Sequence, residues 1–275
     1  MFDKAIEHFS HMVNFEGHYE VRISLARALM NRGNVWVLTN FPREGQGFYH
    51  RCRELLETLI YNEGRAELEA DLAMVMMNLG YTSTQQKRTD LAKEFHDRAI
   101  ELREGLLQPG QEIIIAPWLA MSYFYKIELL MQKGQYVEAL EIADKAHLLL
   151  QRIVVDFERF ELLGTLAKAH YHRASIQKHQ GNLSEALEAL NQSDLALWDY
   201  RNNKDHPSFI EQFIQIAILK GETLILMGQI SKAKEGIGKA LGIVQEQYQG
   251  KLPKSSEALM VRLESMHEQL NTKPG

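Results

Sequence analysis

Small and apolar residues recur along the chain at a fixed step of 47 residues. Ala5, Cys52, Ala99, Ala146, Ser193 and Ala240 form one small column, and Gly45, Ala92, Ala139, Ala186 and Ala233 form another. Gly33, Gly80, Ile127, Ala174 and Gly221 make a mostly small column, while Leu25, Leu72, Leu119, Leu166 and Phe213 make a bulky one. Bulky columns fill a core. Small columns mark close helix crossings, because side-chain size at the contact sets an interaxial distance of about 8–10 Å. A fixed period in this range belongs to stacked supersecondary units, so each unit reads as a packed helix pair.

Within a unit the pattern predicts a first helix, a turn, a second helix and a return loop. In the fourth unit these run over about Arg159–Gln180, Gly181-Asn182 and Leu183–Asp199. Gly134 and Gly228 occupy the same turn in their units, where glycine takes the left-handed conformation at a helix end without a Cβ penalty. Asn40, followed by Pro42, and Lys87 stand there in the first two units, so looser or longer turns are expected. Return loops fall at Asn14–Gly17, Asn62–Gly64, Gln108–Gly110 and Lys204–Pro207, with Pro207 and Pro253 suited to a first helical position. Pro117 follows the β-branched run Ile113-Ile114-Ile115, and the third unit's first helix is expected to start near Pro117 or to kink there.

The expected architecture is one continuous domain over 1–275. It consists of a half repeat at 1–15, full repeats at 16–62, 63–109, 110–156, 157–203 and 204–250, and a capping helix at 253–271. Glu257, Arg262, Glu264, His267, Glu268 and Gln269 give that last helix a polar outer face. The opening helix, with Phe2, Ile6, Phe9, Met12 and Val13, is less cap-like, which suggests a segment of a longer protein or a helix that packs on something else.

Composition narrows the function. A net charge of −5 with mixed signs along the chain argues against a nucleic-acid partner. The single cysteine, Cys52, forms no intrachain disulfide and suits a reducing compartment. An acidic N-terminus and the lack of an apolar run near 18 residues point to a cytoplasmic protein with no membrane partner.

The stretch Gly134-Gln135-Tyr136-Val137-Glu138-Ala139-Leu140-Glu141-Ile142-Ala143-Asp144-Lys145-Ala146 resembles the second half of a tetratricopeptide repeat, with its glycine turn, aromatic residue and spaced small residues. Gly181–Ser193 and Gly228–Ala240 repeat the signature, and Asn78-Leu79-Gly80 resembles the end of the family's first helix. The 47-residue period exceeds the family's usual 34. Arg98–Glu104 and Lys204–Pro207 look like the long repeats of kinesin light chain, and long repeats of this kind also accompany bacterial signalling proteins. The resemblance implies an all-α, right-handed α-solenoid of antiparallel helix pairs, with five full repeats and a terminal half repeat at each end. It implies a protein or peptide interaction scaffold whose concave groove is lined by first helices.

Carried onto this chain, the implied groove holds Arg27, Met30, Asn31 and Asn34, then Met74, Met77, Asn78 and Tyr81. Met121, Phe124, Tyr125 and Glu128 follow, then Lys168, Tyr171, His172 and Ser175. Gln215, Ile218, Leu219 and Glu222 make the fifth unit's wall more apolar. Asn31 and Asn78 share a repeat position, and an amide offers both donor and acceptor to a peptide backbone. Of the five positions of the chaperone-type carboxylate clamp only Asn34 and Asn78 match, since Met30, Met121 and Tyr125 replace its basic residues. His170, His172 and His179 lack converging ligands, so no metal is assigned. No phosphate loop, nucleophile elbow or metalloprotease motif is present, and the chain is read as a non-enzyme without cofactor. The alternative is a regulatory segment, or self-association as a homodimer through the N-terminal half repeat.

Overall fold

The computed structural model describes residues 2–203, 209–248 and 252–272. Among the described residues there are twelve α-helices and no strand, in two compact units, Met1–Lys133 and Gly134–Gly275. The first unit contains α1 (Phe2–Phe15), α2 (Arg22–Leu38), α3 (Pro42–Glu57), α4 (Glu69–Gln85), α5 (Thr89–Gly105) and α6 (Glu112–Gln132). The second contains α7 (Tyr136–Asp156), α8 (Leu163–His179), α9 (Leu183–Asn203), α10 (Phe209–Leu226), α11 (Ile230–Tyr248) and α12 (Lys254–Thr272). Short turns make α2–α3, α4–α5, α8–α9 and α10–α11 antiparallel pairs, and each pair stacks on the next within its unit. The fold is an all-α stack of helix hairpins.

The small columns sit where a pair crosses. A Cβ on Gly33 would lie 2.5 Å from the Tyr49 ring and 3.1 Å from the Gly45 carbonyl oxygen, and one on Gly45 would lie 2.9 Å from the Gly33 oxygen. In α4–α5 a Cβ on Gly80 would fall 2.5 Å from the His96 ring, and in α10–α11 one on Gly221 would fall 2.8 Å from Ile237. Tyr49, His96 and Ile237 share a column of their own, so a large side chain on the second helix fills the space left by a missing one on the first. The polar members of the small columns are satisfied locally. The Cys52 thiol donates to the Ala26 carbonyl at 3.1 Å, and the Ser193 hydroxyl donates to that of Ala167 at 2.7 Å.

The turns are more uniform than their residues suggest. Asn40 and Lys87 adopt φ of 68° and 59°, matching 71°, 85° and 73° at Gly134, Gly181 and Gly228. After Asn40, Lys87, Gly181 and Gly228 the next amide reaches back five positions: Phe41 to Trp36 at 2.8 Å, Arg88 to Ser83 at 2.9 Å, Asn182 to Gln177 at 2.9 Å and Gln229 to Leu224 at 2.8 Å. This bonding satisfies carbonyls at the helix end whatever residue supplies the turn. The expected looser turns at Asn40 and Lys87 are therefore not found. Pro42 opens α3 at its first turn. Return loops also repeat: Gly17, Gly64 and Glu158 take φ of 72°, 72° and 54°, each before a single 3-10 turn at Tyr19–Val21, Ala66–Leu68 and Phe160–Leu162.

Pro117 does not begin its helix. α6 starts at Glu112, and the β-branched run is helical because Ile115 and Ala116 are buried, so tertiary packing overrides local preference. Pro253 immediately precedes α12, and its carbonyl accepts the Ser256 amide at 2.8 Å. The expected loop Lys204–Pro207, with Pro207 at a helix start, lies outside the described residues. By length and composition α6 is apolar enough to cross a membrane, yet half of that stretch is buried in the unit and Lys126 pairs with Asp97 at 2.6 Å.

Two substitutions test this packing by urea unfolding. Gly80→Ala drives a methyl into the His96 ring and should cost about 1–3 kcal/mol. Lys87→Gly removes a Cβ from a left-handed residue and should add about 0.5–1 kcal/mol, the strain relieved less the entropy of glycine.

Candidate binding faces

In the first unit, α2, α4 and α6 present their side chains in lateral pairs. Arg27 reaches Asp71 at 3.4 Å, and the Asn78 amide donates to Asn34 Oδ1 at 3.2 Å, both across 44 positions. Tyr81 and Tyr125, at the same spacing, meet edge to face at 5.4 Å. The step is three residues short of the repeat, which is roughly one helical turn. Neighbouring first helices thus present offset rows. Asn34 Oδ1 also accepts the Tyr49 hydroxyl at 2.8 Å, so this oxygen is held by two donors. Its own amide hydrogens, and the Asn78 oxygen, have no partner among the described residues. Tyr125 stacks on His96 with an interplanar angle of 8°. Arg27, Asn31 and Glu128 are exposed, and Asn34, Met74, Asn78, Tyr81, Met121 and Tyr125 are half-buried. Met77 and Phe124 belong to the core.

In the second unit Lys168 and Ser175 are half-buried on α8, but His172 is buried, and that burial pushes its imidazole down to about 3. Of the twenty groove residues named from the sequence, Met77, Phe124, His172, Ile218 and Leu219 are withdrawn into the interior. Ile218 and Leu219 are buried beside α12, which removes the apolar wall expected there. Lys178 of α8 and Arg262 of α12 both pair with Glu222 of α10. Burial raises the Glu222 carboxyl, but bonding from Lys178 and the charges of both cations hold it below the usual range. A cavity of about 50 Å³ lies beside this triad between Tyr171, Gln215, Leu259 and Arg262. Sequence reasoning missed Asp71, Tyr49, Lys178 and Arg262 as partners. The signal for Asp71 and Lys178 was the step of 44.

Antiparallel helix hairpins stacked in this way form a helical-repeat fold. A tetratricopeptide-repeat family model matches residues 75–105, which cover the C-terminal part of α4 and all of α5. The fold is similar to the crystal structure of BtubC (BKLC) from P. vanneervenii, with 16% identity over 92% of this chain and 91% of that one at a TM-score of 0.65. YrrB, a TPR protein with an unusual peptide-binding site, shows 17% identity over 95% and 100% of the two chains at a TM-score of 0.45. No curated protein is detectably similar in sequence. The chain carries a tetratricopeptide repeat and has the tetratricopeptide-type fold.

Buried histidines near both faces are neutral. Burial pushes His96 and His170 down to about 4, the latter helped by His147, whose ring centroid is 4.6 Å away. No group of three or more His, Cys, Asp or Glu among the described residues is placed to hold a metal ion. A lowered folded value means the unfolded chain binds the proton first as pH falls below about 6.5, so stability declines from there until the folded values near 4 and 3 are passed. Unfolding titrations should lose on the order of 1–2 kcal/mol per buried histidine between pH 7 and pH 5. Replacing His96 with Phe should flatten its share of that slope.

Proposed function

We propose that the chain is a protein-interaction scaffold that holds an extended peptide against the first helices of its first unit. The observation that carries this reading is the Asn34–Asn78 pair. With Asn34 Oδ1 fixed by Tyr49 and Asn78, the remaining Asn34 donor and Asn78 acceptor form a couple that matches the N–H and C=O of one peptide unit. Exposed Asn31 extends the amide row on one side. Tyr81 and Tyr125 offer an aromatic surface on the other, with Met74 and Met121 as adaptable apolar contacts. The peptide's backbone is read by amides and its side chains by the aromatic and methionine positions. The reading assigns no catalytic step and no cofactor. In the chaperone-clamp arrangement basic side chains would stand where Met30, Met121 and Tyr125 are, so a C-terminal carboxylate is not the proposed anchor.

A second reading, self-association through α1, rests on Phe15, which is 79% exposed at the end of that helix, beside exposed Tyr19. Light scattering over a concentration series separates the two, because peptide capture needs no dimer. The direct test is display selection of random peptides on the whole chain, followed by titration of the winners. Asn31→Ala with Asn78→Ala should weaken them about tenfold, which is about 1.4 kcal/mol, with an unchanged circular dichroism spectrum. Winners that bind the double variant as tightly as the parent would sink the peptide reading.

A further inference from the structure

The second unit contains a cavity of about 440 Å³ between α9, α10 and α11, on different helix faces from the α8, α10 and α12 triad. Its origin is legible in the repeat. One column runs Phe48, Phe95, Ile142, Ala189 and ends at Gly236, and another runs Leu29, Met76, Tyr123, His170 and ends at Ala217. Both terminal members line the cavity, and a Cβ placed on Gly236 would meet nothing within 4 Å. In the corresponding place between α3, α4 and α5, Phe95 and Met76 line a depression of about 600 Å³ that is otherwise bordered by charged side chains such as Arg53, Glu57 and Glu94. In the fifth repeat both columns have shrunk to Ala217 and Gly236, so this cavity has small residues where the first three repeats carry large apolar ones. Its volume falls in the range of about 300–1,000 Å³ typical of small-molecule sites.

The lining has the character of a ligand site. Trp198 and Phe213 stand edge to face at 6.3 Å and, with Leu224 and Ile243, form an apolar body. Lys220 is paired with Asp194 and Lys239 with Glu235, which leaves Lys232 as a lining cation without an ion-pair partner among the described residues. Gln229, also in the lining, has a buried amide oxygen without a hydrogen-bond partner. An apolar container with one unpaired ammonium and one unmet acceptor suits an amphipathic anion whose body also carries an N–H or O–H donor for Gln229. We propose that this cavity binds a small amphipathic anion, with an aromatic body between Trp198 and Gly236 and a carboxylate or sulfonate at Lys232.

The probe is 1-anilinonaphthalene-8-sulfonate, an aromatic sulfonate small enough for the cavity, with uncharged N-phenyl-1-naphthylamine as its control. Saturable one-to-one binding of the sulfonate, with quenching of Trp198 and a raised melting temperature, is expected. Gly236→Phe restores the residue that this column carries at Phe95 and should weaken both probes at least tenfold while the protein melts at the same or a higher temperature. Ala217→Met, which restores the Met76 counterpart, does the same should the phenylalanine disturb folding. Lys232→Gln should weaken the sulfonate several-fold and spare the neutral probe. Absence of saturable binding, or binding that survives both filling variants, overturns the site. Equal effects of Lys232→Gln on the two probes, or none on either, overturn the anionic class.

Discussion

The near-contact of two backbones within each hairpin is the constraint on which the rest depends. At Gly33 and Gly45 the two helices approach until each glycine would place a Cβ about 3 Å from the other's carbonyl oxygen. Such an approach brings the second helix's large residue over the glycine of the first, as Tyr49 does at Gly33, His96 at Gly80 and Ile237 at Gly221. Size is conserved across the pair and not at either position alone. This explains why neither column has a fixed residue although the packing repeats, since close-packed interiors conserve volume before identity.

Hairpins built this way leave the first helices side by side, and the step of 44 follows from that adjacency. Pairs such as Asn34–Asn78 and Lys178–Glu222 hold neighbouring hairpins together through groups that also line the faces. A side chain committed to a lateral bond has its rotamer fixed before any ligand arrives, which lowers the ordering cost of binding. Tyr49 serves two purposes at once: its ring fills the Gly33 crossing and its hydroxyl fixes Asn34. Packing within one hairpin thereby orients a group on the candidate binding face.

The helix pairs and their crossings were legible in the sequence because periodicity averages over local exceptions, and small residues kept at a fixed step mark the places where backbones must approach. Glycine turns were equally plain. Asn40 and Lys87 were not, since a turn bonded five positions back tolerates a strained residue once the helices on both sides are fixed. Pro117 misled for a related reason: local propensity is weak beside the burial of Ile115 and Ala116. At the candidate site, Arg27, Asn31 and Glu128 were readable as surface positions of the first unit's face. His172 was not, because helix periodicity alone does not say how closely α10 packs on α8. Partners such as Asp71 and Arg262 belong to pairing between repeats, which the 47-residue columns do not show.

A chain of this kind carries its own internal standard, since each column states what a position holds when only packing matters. Leu56, Leu150, Leu197 and Val244 are buried in one such column, and Arg103 replaces them at 2% exposure. Burial pushes its guanidinium down to about 10, so it remains a cation at neutral pH, without an ion-pair partner among the described residues. It donates instead to the Trp118 carbonyl at 2.6 Å and to the Ser122 hydroxyl, with Met77 Sδ at 3.3 Å. An unpaired buried charge costs several kcal/mol unless its donors are met. The cost falls where α6 is weakest, because Pro117 has no N–H to give the Ile113 carbonyl and the helix loses a bond in its second turn. Arg103 fastens the next residues of α6 to α5 across that gap. The two departures lie close together in the fold, and the Arg103 bonds tie α6 to α5 one residue past the proline, although they do not replace the intrahelical bond to Ile113 that the proline lacks.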